Sequence, residues 1–165
     1  MSGTRARRDS VRDIEFIDPG ELVDGDLRLE LSATSPADHA NGFLPVYRFS
    51  MLHGASHEEL GSINLRVGQT AHVQMFRGHI GYRVLPRHRG QRLAAPSCQL
   101  LRPLIRHHRI APIWLTCTDG NLASQRTLER LGALYVGTLE VPEHHAYIEY
   151  YPLSERRKRR YRWDV

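Results

Sequence analysis

The chain has 165 residues, of which 41% are hydrophobic and 25% are charged, and its formal net charge is +5. This length suits one domain with a substantial core, and the mixed composition excludes a disordered or collagen-like chain. No run approaches the roughly 18 apolar residues of a membrane span. No apolar segment follows the basic first residues either, so we expect a cytoplasmic protein without a secretory signal.

Alternating or β-rich apolar runs predict the strands. In chain order they lie at 27–31, 45–52, 60–67, 79–85, 113–117 and 133–141, with a closing strand at 160–165. Residues 1–12 are predicted to be a flexible basic arm, and residues 13–165 a single domain. Residues 32–43 are predicted to be a loop or one short helix, and the segment that ends at Arg77 a loop. Residues 142–154 fit either a strand or a long loop.

Two helices are predicted between these strands, at 92–108 and 122–131. Leu and Ile recur at helical spacing in the first, and Pro103 should kink it because proline removes a backbone hydrogen bond. Asn121 fits the N-cap of the second helix, and Gly132 stands where a left-handed residue ends a helix. Helices between strands, preceded by a strand meander, predict an α/β (α+β) mixed sheet.

A basic turn joins the strand at 79–85 to the first helix. Residues 87–95 read RHRGQRLAA, so unpaired helix N–H groups, the helix dipole and arginine side chains would all favour an anion. We therefore expect a phosphate-bearing cofactor there, with an ordinary strand–helix connection as the alternative. A second strand–turn–helix junction follows at 113–131, and two such units splay apart at a crevice where α/β sheets bind ligands.

These junctions resemble the cofactor motifs of the GNAT superfamily of acyl-CoA-dependent N-acyltransferases. Residues 84–92 (VLPRHRGQR) are similar to the family's Gln/Arg-x-x-Gly-x-Gly/Ala motif, and Asn121, Ser124 and Gly132 match its second motif. The resemblance is closest to a little-characterised bacterial branch that has Gly-His-Ile-Gly-Tyr, here at 78–82.

The resemblance covers roughly residues 45–165 and implies a GNAT-type, mostly antiparallel splayed sheet flanked by helices. It implies acetyl-CoA as co-substrate, with the acetyl group moving directly to a primary amine in a ternary complex, so that no enzyme nucleophile is needed. The acceptor would be a small molecule, a peptide or a protein. Neither a membrane nor a nucleic acid is expected as a partner, and a homodimer is left open.

The resemblance also implies the cofactor contacts. Backbone amides of 89–95 would cradle the pyrophosphate, the end of the strand would pair with the pantetheine arm, and a backbone N–H at a strand bulge would polarise the thioester carbonyl. Asn121 would reach the pantetheine amides. The implied cofactor-binding residues are Val84, Leu85, Arg87, Arg89, Gly90, Gln91, Arg92, Leu93, Ala94, Ala95, Asn121 and Ser124.

Two positions depart from the family pattern. Arg92 stands where the family has Gly or Ala, and its side chain could crowd the pyrophosphate or reach over it as a cation, the alternative that we favour. Leu128 stands where many relatives have a tyrosine that protonates the leaving thiolate. Ser124 or a water would replace that tyrosine, or the thiolate would leave unprotonated; Ser124 could equally serve the helix cap.

His79 and Tyr82 are candidates for the general base, and Ser124 is the third catalytic candidate. A histidine with a pKa of about 6.5 suits proton transfer at neutral pH. His79 lies on the strand that would pass the thioester. Tyr82, three residues on, should face the opposite side unless a bulge intervenes. Packing or surface exposure is the alternative explanation for each of these residues.

No metal site is expected. Cys98 and Cys117 are far apart without a CxxC spacing, so we expect free thiols in a reducing compartment. The adjacent histidines at 107–108 and 144–145 would diverge on a helix or a strand. The basic run 155–160 is predicted to be a solvated loop, with binding of nucleic acid or an acidic substrate as the alternative.

Two other classes of function remain open. A non-catalytic GNAT-fold module would bind acetyl-CoA but acetylate no amine. A basic nucleic-acid-binding protein would lose affinity steeply with salt, and acetyl-CoA would not stabilise it.

Overall fold

The computed structural model describes residues 11–165, which form two antiparallel sheets and the helices around them. The first sheet has five strands in chain order: β1 (Leu22–Asp24), β2 (Leu27–Ser35), β3 (Val46–His53), β4 (Glu59–Arg66) and β5 (Ile80–Val84). The second has the order β6-β8-β7, with β6 (Ile113–Thr118), β7 (Leu134–Glu140) and β8 (Arg157–Trp163). The helices are α1 (Ala94–Leu100), α2 (Arg102–His107) and α3 (Leu122–Arg130). The predicted mixed class, mostly antiparallel and flanked by helices, is confirmed.

The apolar face of the first sheet packs into the main core. Tyr47, Phe49 and Met51 alternate along β3 and are buried in a cluster that includes Leu101, between α1 and α2, and Leu115 of β6. One core therefore ties both sheets to the helices.

The opposite face of the same strands is polar. The register places Arg48 of β3 opposite Asn64 of β4, and Val46 opposite Arg66. Because directly opposed residues project from the same side of an antiparallel pair, Arg48, Asn64 and Arg66 share the face turned away from the core.

The predicted helix boundaries have clear physical causes. The first helix is broken between α1 and α2, where Pro103 in the first turn of α2 has no N–H to donate to Gln99. α3 begins with the predicted cap, in which Asn121 Oδ1 accepts the Ser124 N–H at 3.2 Å. It ends at Arg130, and Gly132, the residue after the C-cap Leu131, has a φ of 77°.

Several other segments differ from the prediction. Val73–Arg77, in a segment expected to be loop, forms a π-helical turn. β1 was not predicted, because three residues are too few for a periodic pattern. β2 continues to Ser35, four residues past the predicted strand at 27–31. Residues 142–154 contain two short 3₁₀ turns, Ile148–Tyr150 and Leu153–Glu155, so the loop alternative is confirmed for them.

The predicted basic arm, 1–12, falls almost wholly outside the described residues. Val11 is described, and it is buried with Leu44 and Val73 in a small apolar cluster. The described chain therefore packs from its first residue onward.

The prediction of a solvated loop at 155–160 is wrong, whereas the predicted closing strand is present as β8, which runs from Arg157 to Trp163 instead of from 160 to 165. β8 lies between β6 and β7 and pairs with both. Its side chains alternate: Arg157 and Arg159 reach Asp119 at 2.8 and 3.7 Å, while the Arg160 guanidinium stacks 4.3 Å from the Trp114 ring centre. Pairing on both edges and these contacts outweigh the high charge of the segment.

No helix within residues 11–165 is long and apolar enough to cross a membrane. The same residues hold no group of three or more His, Cys, Asp or Glu side chains that could bind a metal ion. Both cysteines are free and buried. Burial raises the pKa of Cys98 to about 12 and that of Cys117 to about 11, so both thiols are protonated at neutral pH.

Candidate active site

The two sheets meet just before β5 and separate along its length. The N–H of His79 donates to the Trp114 carbonyl of β6, and the His79 carbonyl accepts the Arg66 N–H of β4, both at 2.7 Å. A strand residue normally turns both groups toward one neighbour, so His79 departs from regular strand geometry. Among the described residues, β5 itself makes no backbone hydrogen bond to β6. The crevice predicted from the two junctions lies there.

The side chain of His79 also holds the sheets together. Nδ1 accepts the Trp114 N–H at 2.8 Å and Nε2 donates to the Gly68 carbonyl at 2.9 Å. Burial lowers the pKa of His79 to about 4, although the hydrogen bond to the Gly68 carbonyl opposes the shift. With both ring nitrogens bonded to backbone, no lone pair is free for a substrate proton. This geometry favours a structural role over the expected general base.

Alternate backbone groups of β5 face the crevice. The Leu85 N–H donates to the Leu60 carbonyl of β4 at 2.9 Å. Alternation therefore turns the N–H and C=O groups of Tyr82 and Val84 away from β4. No strand pairs with them in the part of the chain that the structure describes. The edge without a partner strand is thus at Tyr82 and Val84, where the Val84 carbonyl accepts a long hydrogen bond of 3.4 Å from Arg89 Nε. The N–H of Leu85 is already bonded within the sheet.

An open cleft of about 670 Å³ occupies the crevice beside α1 and α3. Its lining includes no carboxylate and five arginines, namely Arg83, Arg89, Arg92, Arg126 and Arg130. The predicted cofactor residues that line it are Val84, Arg89, Gly90, Arg92, Leu93, Ala94, Asn121 and Ser124. Those outside the lining are Leu85, Arg87, Gln91 and Ala95, and Arg87 instead lies 3.5 Å from Glu58. Such a concentration of positive charge suits a polyanionic ligand.

The turn before α1 contains two residues in the left-handed conformation. Gly90 has a φ of 82° and Arg92 a φ of 57°. This conformation is strained for any residue that has a Cβ, which explains why glycine suits the position that Arg92 occupies. Arg92 keeps the conformation and places its side chain at the cleft.

Tyr82, Asn121 and Ser124 lie where the cleft passes through the crevice, since all three also line a second cavity. Asn121 uses Oδ1 to cap α3, which leaves its NH₂ group for a ligand. Burial raises the pKa of Tyr82 to about 12, and the neighbouring Ser124 and Thr127 hydroxyls lower it only in part. Tyr82 is therefore protonated at neutral pH and can donate a proton.

Two cavities extend from this junction along the polar face of the first sheet. The first, about 370 Å³, is lined by Tyr82, Asn64, Arg66 and Arg77 among others. The second, about 440 Å³, shares Arg66 and Arg77 with it. The cavities adjoin one another, so a path runs from one side of β5 to the other.

A hydrogen-bonded pair lies on this second side. His72 Nε2 and the Tyr151 hydroxyl are 2.7 Å apart. Burial, with the charges of His145 and Arg77, lowers the pKa of His72 to about 4, so its neutral ring accepts the hydroxyl proton. Burial also raises the pKa of Tyr151, which keeps the phenol neutral.

Sequence reasoning did not identify the residues of this second side, which include Arg48, Asn64, Arg66, His72 and Tyr151. The alternation of β3 and β4 contained part of the signal, because Arg48, Asn64 and Arg66 recur on one face. That this face adjoins the crevice follows only from long-range pairing.

A profile of the family described as Acetyltransferase (GNAT) domain matches residues 16–134. No curated protein sequence is significantly similar to the chain. The fold is similar to RimL, a ribosomal L7/L12 alpha-N-protein acetyltransferase solved with coenzyme A, at a TM-score of 0.55, 18% identity, and coverage of 77% of this chain and 65% of RimL.

Two further solved structures have the same fold. A protein from Vibrio cholerae, described as a ribosomal-protein-serine acetyltransferase, has a TM-score of 0.59 at 13% identity, covering 90% of this chain and 100% of its own. MccE, a microcin C7 self immunity acetyltransferase solved with acetyl-CoA and AMP, has a TM-score of 0.53 at 15% identity, covering 73% and 61%. The chain spans less than two thirds of the length of RimL and MccE.

The family match includes every element that builds the cleft. Residues 16–134 take in β5, the turn before α1, and the capped start of α3. The arginine-lined crevice lies where two strands separate, and the similar structures share this fold. The chain therefore belongs to the GNAT family of acetyltransferases.

Proposed function

We propose that the chain is an N-acetyltransferase that moves the acetyl group of acetyl-CoA to a primary amine by direct attack in a ternary complex. The supporting observation is the path across β5: an arginine-lined cleft on one side, cavities on the other, and Tyr82, Asn121 and Ser124 at the junction. Two substrates that met there would be held for reaction without an enzyme nucleophile. RimL and MccE, solved with coenzyme A and acetyl-CoA, support the choice of co-substrate.

The residues of the cleft fit acetyl-CoA, which supplies the thioester that the amine attacks. Arginines would neutralise the phosphates, and the turn at Gly90 and Arg92 would lie against the pyrophosphate. The free edge at Tyr82 and Val84 would pair with the amides of the pantetheine arm, and the NH₂ group of Asn121 would add a donor. An N–H of this edge would also stabilise charge on the carbonyl oxygen.

The proposal names a donor for the proton that the sulfur gains and an acceptor for the proton that the amine loses. As the amine nitrogen bonds to the acetyl carbon, the carbon–sulfur bond breaks and the sulfur takes a proton from Tyr82, with Ser124 beside it. Tyr151 would take the proton that the amine loses as its own proton passes to the neutral ring of His72. Because the pKa of His72 is about 4, this proton would go on to solvent in the cavity that His72 lines, and Tyr82 would regain its proton from solvent. His79 takes no part in this scheme.

A non-catalytic acetyl-CoA-binding module is the second candidate. Leu128, where many relatives have a tyrosine that protonates the thiolate, has no ionisable proton and is buried in the core. Turnover separates the candidates: release of the CoA thiol with any primary amine supports the enzyme. Binding of acetyl-CoA without turnover across a broad amine panel supports the module.

The cofactor site is tested by a charge change at Gly90. Asp and Asn both tolerate the left-handed conformation, so Gly90→Asp and Gly90→Asn differ mainly in one negative charge beside the pyrophosphate. At 100 times its Kd, acetyl-CoA should raise the stability of the wild type and Gly90→Asn by roughly 2.7 kcal/mol. It should not stabilise Gly90→Asp. The measurement is thermal unfolding with and without acetyl-CoA, and a wild type unaffected by millimolar acetyl-CoA would overturn the proposed function.

A further inference from the structure

The polar face of the first sheet carries groups that select the acceptor. We propose that the acceptor is a small amine with an anionic group, a carboxylate or a phosphate, a few bonds from its nitrogen. Arg48, Arg66 and Arg77 bind the anion, and Asn64 binds the amine. This inference rests on the proposed function, since it assigns the second substrate of the same site.

The three arginines face a cavity whose lining includes one carboxylate, that of Asp38. All three line the 440 Å³ cavity, and within residues 11–165 none of them forms an ion pair. Arg66 is half-buried, and its Nη1 donates to the Gly78 carbonyl at 3.2 Å. Burial, together with the charges of Arg77 and Arg48, lowers the pKa of Arg66 to about 10. Arg48 and Arg77 are exposed, so only Arg66 is partly desolvated, and the repulsion between the three neighbouring cations favours a bound anion.

The carboxylate that lines this cavity does not neutralise them. Asp38 accepts hydrogen bonds from the Asn41 backbone N–H at 3.1 Å and from Asn41 Nδ2 at 2.8 Å, one on each oxygen. These bonds lower the pKa of Asp38 and hold its charge within the loop. The guanidinium groups therefore remain available to a ligand.

A second, independent observation comes from Asn64. Its Oδ1 is buried and has no hydrogen-bond donor in the described part of the chain. A buried acceptor without a partner carries a desolvation cost, and Asn64 lines the cavity next to Tyr82. A turn of the Asn64 side chain toward the cavity would let an amine N–H satisfy this oxygen, close to the proposed position of the thioester.

Gly81 sets the spacing between the two sites. A Cβ placed on Gly81 would lie 3.1 Å from Asn64 Nδ2, 3.3 Å from Asn64 Oδ1 and 3.6 Å from Arg66 Nη1. The Asn64 amide and Arg66 Nη1 therefore lie close to each other beside Gly81. A ligand that reaches both needs its amine and its anion only a few bonds apart, as in an amino acid.

The remaining residues that line the cavity indicate the chemistry of the rest of the acceptor molecule. Phe43, Leu44, Val46 and Val73 add apolar surface to its lining. A volume of about 440 Å³ lies within the range of small-molecule pockets. An apolar or aromatic amino acid combines an amine, a nearby anionic group and an apolar side chain.

The test compares amines that differ only in the anion. Leucine and phenylalanine are assayed against isopentylamine and phenethylamine, and phosphoethanolamine against ethanolamine, by release of the CoA thiol from the full chain. We expect kcat/KM to fall about 100-fold or more when the anion is absent. The leucine and phenylalanine pairs test for a carboxylate, and the phosphoethanolamine pair tests for a phosphate. A peptide whose only carboxylates are distant from its free amine should react no better than the simple amines.

Matched arginine variants locate the effect. Arg48 makes no side-chain hydrogen bond or ion pair to the described residues, so Arg48→Gln should fold normally, raise KM for the anionic amine and reduce the discrimination at least about tenfold. Arg66→Gln should reduce it further. Arg106→Gln, at an exposed position of α2, is the control and should match the wild type.

The outcomes separate this inference from the proposed function. If uncharged amines react as well as their anionic counterparts, the inference fails while the proposed function stands. If acetyl-CoA does not stabilise the chain, the proposed function fails first. If no amine turns over, thermal unfolding with CoA and each anionic amine decides, because a chain that gains no stability from any of them contradicts the inference.

Discussion

His79 shows how one buried side chain can determine both stability and chemistry. It is fully buried and bonds to the backbone of Gly68 and Trp114 through its two ring nitrogens. We expect His79→Phe to lower the free energy of unfolding by about 2–5 kcal/mol at pH 7, because the Gly68 carbonyl and the Trp114 N–H lose their partners. Urea unfolding measures the loss. His107→Phe, at an exposed histidine, should change stability by at most about 0.5 kcal/mol, and an equal loss in both variants would contradict the structural role.

The same loss should depend on pH. The pKa of His79 lies near 6.5 in the unfolded chain and is lowered to about 4 in the fold. The unfolded chain therefore binds the proton first as the pH falls. The contribution of His79 is complete above pH 6.5 and is lost between pH 6.5 and about 4. The difference in unfolding free energy between the wild type and His79→Phe should shrink over that range, and a constant difference would argue against the pKa shift.

Among the secondary-structure elements, α3 has the boundaries most fully explained by local bonds. At its end, the Gly132 N–H donates to the Glu129 carbonyl at 3.0 Å and the Ala133 N–H to the Leu128 carbonyl at 3.1 Å. This arrangement needs a left-handed residue at Gly132. Gly132→Ala should therefore destabilise the fold by about 1 kcal/mol.

Gly137 of β7 is the matched control, because a Cβ there meets nothing within 4 Å and its φ is not positive. Gly137→Ala should be neutral or slightly stabilising in the same denaturation experiment. Equal effects of the two substitutions would show that conformation at Gly132 is not the cause.

Elements like α3 could be predicted because their signals are local. Asn121, Ser124 and Gly132 are close in sequence, and the propensities of these residues specify the cap and the end without tertiary contacts. β8 could not be predicted in this way. Its Arg and Lys residues have the composition of a solvated loop. Their partners, such as Asp119 and Trp114, lie in segments that are distant in sequence, so the local pattern does not reveal them.

At the scale of the whole molecule, the separation of the two sheets leaves one edge of β5 without a partner strand. Hydrogen exchange of individual backbone amides can test whether acetyl-CoA binds to this edge. If pantetheine pairs with this edge, acetyl-CoA should slow hydrogen exchange at Tyr82 and Val84. It should change little at Gly81 and Arg83, which already face β4. Amide-resolved exchange with and without acetyl-CoA measures the difference. Uniform protection along β5 would indicate general stabilisation instead.

The cofactor side of the site could be predicted from sequence and the acceptor side could not. Gly90, Arg92 and Asn121 lie in two short motifs whose chemistry is visible along the chain. Arg48 and Arg66 come from separate strands, and their proximity depends on the register between β3 and β4. Strand alternation shows which residues share a face, but it does not show which face adjoins the crevice.

The path across β5 has a consequence for the order of events in the proposed reaction. The arginine-lined cleft and the 440 Å³ cavity share no lining residue and meet only through the smaller cavity between them. Each partner has its own entrance, and neither has to pass the other on its way in or out. Addition of the two substrates should therefore follow a random sequence rather than a compulsory one. Release of the two products should be equally independent. Slow release of one product would therefore not delay release of the other.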